Sequence, residues 1–230
     1  MLYSGQFVNH LQSRLSINHM LLFNIISNLR ARKQIQLTIV LIRLLMGFSF
    51  VPSGIKKILG RPFIMLSAET PIGYFFDSLY KTGFYYQFLG WVQLITAILL
   101  MSQRFATMGA ILFFAIIINI WMITIALHFN GTWVISSMLV LANIMLLLWD
   151  AHKLSPLFNH QEKNLRLEST NTGHDKIWEF LGPILIILSI TGTLLFEFEL
   201  ITPLLKGAWL MSISGFVVYG IMVTFRKQDS

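Results

Sequence analysis

The sequence predicts an all-α polytopic transmembrane helix bundle, and three observations carry that prediction. Six apolar runs of membrane-spanning length fit into 230 residues. Hydrophobic residues make up 55% of the chain and charged residues 12%, too little polar surface to cover a water-soluble domain of this size. The basic residues gather at the ends of the apolar runs and form no continuous patch, so the net charge of +7 speaks for membrane orientation and against nucleic acid.

The runs, taken in order, are 35–58, 84–101, 105–129, 132–149, 177–196 and 204–225, each long enough to cross about 30 Å of hydrocarbon. Only Ser102-Gln103-Arg104 separates the second from the third, and Asn130-Gly131 the third from the fourth, so both pairs are expected to be tight antiparallel hairpins. Lys and Arg residues near the span ends fall about two to one on the side holding Arg30, Arg32, Lys33, Arg104 and Lys153. That side is expected to be cytoplasmic, with both termini and the loop after Asp150. The setting expected is an integral protein of a bacterial cytoplasmic (inner) membrane. The division is an N-terminal segment 1–34, a four-helix unit 35–155, a cytoplasmic loop 156–176, and two C-terminal spans with a short tail, 177–230.

Leu11, Leu15, Leu22, Ile25, Ile26 and Leu29 recur at helical spacing, which suggests a helix on the inner leaflet ahead of the first span. A cleavable leader is not evident there, and Met20 offers a second candidate start. Pro52-Ser53-Gly54 is expected to interrupt the first helix near its outer end. The aromatic stretch Pro71 to Tyr80 is expected to lie along the outer membrane surface, as a lid over a cavity mouth or as an interfacial belt. Lys56, Lys57 and Arg61 beside it either contact phosphate or headgroups or extend their cationic ends to the interface.

Arg43 stands in Leu41-Ile42-Arg43-Leu44-Leu45, inside the first span, where a charge costs roughly 2.5–3.5 kcal/mol even on insertion scales and is expected to face protein, water or ligand. At 1.5 Å per residue Arg43, Gln93 and Asn143 stand about 12, 13 and 10 Å from the inner ends of their spans, and Asn119 about 21 Å, near Ser136. Arg43, Gln93, Asn119, Ser136 and Asn143 are therefore the candidate intramembrane ligand-binding layer. In it the amide oxygens of Gln93 and Asn143 are the expected acceptors for Arg43. A purely structural polar network is the alternative. Ser136, Asn143 and Asp150 recur every seven residues and make one stripe. No residue is assigned a catalytic role, and no metal motif appears: His152, His160 and His174 have no ligand spacing, and His128 shares no face with Asn119. Glu179, Glu197 and Glu199 read as interfacial carboxylates. The absence of cysteine excludes thiol chemistry and cysteine-held iron–sulfur clusters.

The run Arg43-Leu44-Leu45-Met46-Gly47 through Ser53-Gly54-Ile55-Lys56-Lys57 resembles the first-helix pattern of the DoxX-like membrane proteins. Phe88-Leu89-Gly90-Trp91-Val92-Gln93, then Arg104 and two helices ending in Trp149-Asp150, is similar to the rest of that four-helix unit. The resemblance covers about residues 35 to 155. Where the family commonly has a glutamate in the second helix this chain has Gln93, so the resemblance implies a hydrogen bond in place of an Arg–Glu pair. It further implies a membrane component of an oxidoreductase system. The leading expectation is a non-catalytic accessory subunit that binds a quinone or other lipophile, or anchors a redox or other membrane partner, as one copy or as a homo-oligomer. A carrier of a small lipophilic substrate and an assembly scaffold are the competing classes.

Overall fold

In the computed structural model, residues 32–151, 153–154, 176–200 and 203–226 are described. The expected N-terminal surface helix, the histidine-bearing loop and the C-terminal tail lie outside these residues. The described residues form seven helices: α1 (Lys33–Ile58), α2 (Pro71–Lys81), α3 (Phe84–Met101), α4 (Ala106–Ala126), α5 (Thr132–Trp149), α6 (Lys176–Glu197) and α7 (Pro203–Arg226). All but α2 are long and apolar enough to cross a membrane, which makes this an integral membrane protein of the all-α class.

Short turns dictate the course of the chain. Four residues join α3 to α4 and five join α4 to α5, so successive spans run antiparallel. The bundle thus has two ends, one holding Asp150 and the 102–105 turn, the other Glu197, α2 and the linker 59–70. Glycine sets the packing of α1 on α3. A Cβ on Gly90 would lie 2.7 Å from the Gly54 carbonyl oxygen, and one on Gly47 would lie 3.1 Å from that of Ala97. Small residues let the two backbones approach closely, the usual device where helices meet in lipid.

Helix α1 is the shared wall of two cores. Its Met46, Phe50 and Val51 pack with Leu94 and Ala97 of α3, Phe113 and Ile117 of α4 and Leu146 of α5. Phe50 and Phe113 stack with ring centres 4.2 Å apart. A quarter-turn round the helix, Leu37, Val40 and Leu44 meet Trp178, Leu181 and Leu185 of α6. Trp178 is buried and donates from Nε1 to Thr224 Oγ1 of α7 at 3.1 Å.

One expectation of backbone course is revised. Pro52 does not interrupt α1, which is helical throughout. A proline costs one hydrogen bond, here the one the Phe48 carbonyl would accept, and spanning helices tolerate that loss where protein or a polar cavity covers the gap. The stretch 71–80 is a true helix, since Pro71 sits at its first turn and the Thr70 hydroxyl caps it by accepting from Gly73 N at 3.1 Å.

Candidate functional site

Arg43 is buried and does not meet Gln93 or Asn143. Its Nη2 donates to Asp150 Oδ2 at 2.7 Å and its Nη1 to Gln103 Oε1 at 3.4 Å. The reason is register. Gly47 of α1 lies against Met101 and Ala97, and Gly54 against Gly90, so the first turns of α1 project well beyond the end of α3. Arg43 is then level with the 102–105 turn, and its long side chain points back toward the helix N-terminus, onto Asp150. Gln103 reaches its place with φ +58°, a left-handed conformation uncommon for a side-chain-bearing residue.

Asp150 is the hub of this end. It also accepts from Thr107 Oγ1 at 3.1 Å, and Lys153 Nζ stands 3.1 Å from Oδ1. Burial pushes the carboxyl toward its protonated form, but Arg43, Lys153 and the two hydrogen bonds outweigh it and hold Asp150 below the ordinary carboxylate value. One acid, lying beyond the last residue of α5, thus ties α1, α4 and α5 together. The seven-residue stripe Ser136, Asn143, Asp150 placed Asp150 on one polar face with the other two, without marking it as the partner of Arg43. All three are buried against α4: Ser136 and Thr124 share a 2.9 Å hydrogen bond, Asn143 Nδ2 donates to the Ala110 carbonyl at 3.2 Å, and Asp150 takes Thr107. Asn143 Oδ1 and Arg43 Nε are buried with no hydrogen-bond partner.

Gln93 belongs to a second network, toward the other end. Its Oε1 accepts from Ser53 Oγ and from Lys57 Nζ, each at 3.1 Å, and Lys57 also donates to Ser53 Oγ. The Gln93 amide therefore faces Lys57, in the last turn of α1. Asn119 stands apart from both networks. It is exposed, and its side chain donates to the Ala115 carbonyl of its own helix at 2.7 Å.

Lys56, Lys57 and Arg61 do not converge on a common anion site. Lys56 and Arg61 reach Glu197 of α6, with Nζ 3.8 Å from Oε2 and Nη1 3.2 Å from Oε1, while Lys57 turns inward. Glu197 is thus the clasp between the top of α1 and α6.

Sequence reasoning did not foresee the space between α1, α6 and α7. A groove of about 390 Å³ runs along Leu41, Leu45, Phe48, Leu185, Ile213 and Val217, almost wholly apolar. Phe48, Ser189 and Ile213 also line a second space of about 310 Å³ that continues toward the Glu197 end. There the walls become polar, with Lys56, Thr193, Glu197 and Trp209 beside Pro52. No sequence period announces such a groove, because it arises from how α7 leans on α6.

Comparison with protein-family models, curated proteins and solved structures finds no match to this chain. The likeness to DoxX-like proteins rests on the residues quoted above.

Proposed function

We propose that the chain is a DoxX-like, non-catalytic accessory membrane subunit that holds a quinone or comparable lipophile between α1 and the α6–α7 pair. The observation that carries this reading is the two-part groove. Its lower part offers apolar walls to a hydrocarbon chain, and its upper part places a lysine, a threonine hydroxyl, a carboxylate and an indole where a polar head would rest. Pro52, by freeing the Phe48 carbonyl on that face, adds an acceptor. The Arg43–Asp150 and Arg61–Glu197 pairs hold the groove's α1 wall at each end.

The competing carrier reading draws on an interrupted helix facing a polar midplane pocket, whereas α1 is continuous and its polar residues pair with one another. Anchoring of a redox or other membrane partner, or of a second copy, finds support in α7, whose Ala208, Ser212 and Gly215 are all exposed. The excess of Lys and Arg at the Asp150 end supports a cytoplasmic placement of that end and of both termini, in what we take to be a bacterial inner membrane.

The test is retention of ligand. Protein purified in mild detergent is expected to release a lipophilic quinone into organic solvent, detected by mass spectrometry, and Ile213→Trp, which fills the groove, is expected to release far less. A parent protein that releases none, or a variant that releases as much, overturns the reading. Orientation is tested with single cysteines. Ser78→Cys should react with impermeant thiol reagents in intact cells, and Asn171→Cys and Ser230→Cys should not.

A further inference from the structure

Lys57 carries a charge that no acid balances. The residue is only 6% exposed, and among the described residues no carboxylate lies within ion-pair distance of its ammonium. Glu197, the acid at this end of α1, is taken by Lys56 and Arg61. The partners of Lys57 are three neutral oxygens: Ser53 Oγ, Gln93 Oε1 at 3.1 Å and the Ser53 carbonyl at 3.4 Å. Three acceptors require three N–H donors, which an ammonium has and a neutral amine lacks. Aromatic faces complete the shell, with Nζ 4.4 Å from the centre of the Phe63 ring and 5.9 Å from that of Tyr86. A buried cation held this way remains costly until an anion joins it.

The same two rings wall a separate cavity. About 240 Å³ lies beneath the linker 59–70 and α2, bounded by Pro62, Phe63, Phe76, Asp77, Tyr80 and Tyr86. Its polar side chains are already committed. Tyr80 and Tyr86 donate their hydroxyls to the Gly60 and Arg61 carbonyls at 3.2 and 3.0 Å, and Asp77 is neutralised by Lys81 at 2.6 Å. Lys57 does not line this cavity, but two of the cavity's walls, the Phe63 and Tyr86 rings, are the faces its ammonium approaches. The cavity is distinct from the lipophile groove, because Lys56 faces that groove and Lys57 turns to the α3 side of α1.

We infer that the roofed cavity receives a phosphate group, from a lipid headgroup or from free phosphate, with Lys57 as its counter-charge and Phe63 as the ring that must yield to admit it. The Ser53 carbonyl, at 3.4 Å the longest of the three contacts, is the one the incoming oxygen replaces. The outer surface, where aromatic residues of α2 meet headgroups, is the depth at which a lipid phosphate is available.

The experiment uses the full chain in an uncharged mild detergent and reads the rise in melting temperature with ligand. Three probes are titrated at fixed ionic strength: short-chain phosphatidylglycerol, diacylglycerol of the same chain length, and inorganic phosphate. Phosphatidylglycerol, but not diacylglycerol, is expected to stabilise the parent saturably. A matching effect of inorganic phosphate assigns the site to the free anion, and its absence assigns it to the headgroup. Lys57→Gln should weaken binding at least tenfold, whereas Arg104→Gln, which removes an exposed cation at the Asp150 end of the bundle, should leave it within twofold. Phe63→Ala keeps the charge and opens the cavity, so it should tighten binding even if Lys57→Gln proves too unstable to measure. No saturable binding by the parent, an equal loss in Arg104→Gln, or an unchanged affinity in Phe63→Ala overturns the inference.

Discussion

Removing Asp150 and removing Arg43 should have unequal costs, because the two ends of that ion pair are unequally supported. In Asp150→Leu the buried guanidinium keeps only Gln103, at 3.4 Å, and stranding a buried charge costs about 3–5 kcal/mol. In Arg43→Leu the carboxylate keeps Lys153 at 3.1 Å and Thr107 at 3.1 Å, so the loss is closer to that of one hydrogen bond to a charged group, about 1.5–3 kcal/mol. Replacing both by leucine removes the pair together with its desolvation penalty, and is expected to recover most of the parent's stability. For a chain of this size about 1 kcal/mol moves the melting temperature by roughly 2–4 °C. Thermal unfolding in mild detergent should therefore place Asp150→Leu about 6–20 °C below the parent, Arg43→Leu about 3–12 °C below, and the double variant above Asp150→Leu. If Arg43→Leu proves the worse single change, or Asp150→Leu melts with the parent, Arg43 is held by something other than this carboxylate.

Three further outcomes follow from the same geometry. Gln93→Glu should stabilise the protein, since a carboxylate would then face Lys57 at about the present 3.1 Å; the gain should vanish in a Lys57→Met background, and its persistence there would refute the pairing. Gly90→Ala should lower the melting temperature by an amount corresponding to roughly 1–3 kcal/mol, because its Cβ would meet the Gly54 carbonyl, while Gly215→Ala, with nothing near its Cβ, should stay close to the parent. The Asp150 carboxyl is held below its ordinary value, so its contribution is fully present above about pH 4, the unfolded value, and is lost as pH falls through the lower folded one; Asp150→Asn should lack that step in a pH titration of melting temperature.

The spans were legible because hydrocarbon thickness and the turn residues fix them almost alone. The runs 84–101 and 132–149 coincide with α3 and α5, and the rest differ from their helices by one to three residues at an end. The partners of Arg43 were not legible. Counting residues from each span's end assumes that all spans begin in one plane, whereas contacts at Gly47 and Gly54 shift α1 by several residues against α3. Direction matters as much as level, since an arginine side chain on a helix lies over the preceding turn. Asp150 was nevertheless within reach of sequence reasoning, as the third member of the stripe that begins with Ser136. Lys57 was not, because adjacent lysines look alike in sequence and only the face each takes on α1 separates the clasp to Glu197 from the contact with Gln93.

The most direct measurement is photo-crosslinking of a diazirine-bearing quinone analogue to the protein in native membrane vesicles, followed by peptide mapping. Binding between α1 and the α6–α7 pair predicts adducts within 41–56, 185–197 and 209–217, competed away by unlabelled quinone and lost in Ile213→Trp. Adducts spread over the exposed faces of α4 and α5, at Met138 or Leu141 for example, and indifferent to competitor, would mean that the analogue samples bulk lipid and that the groove is not a quinone site.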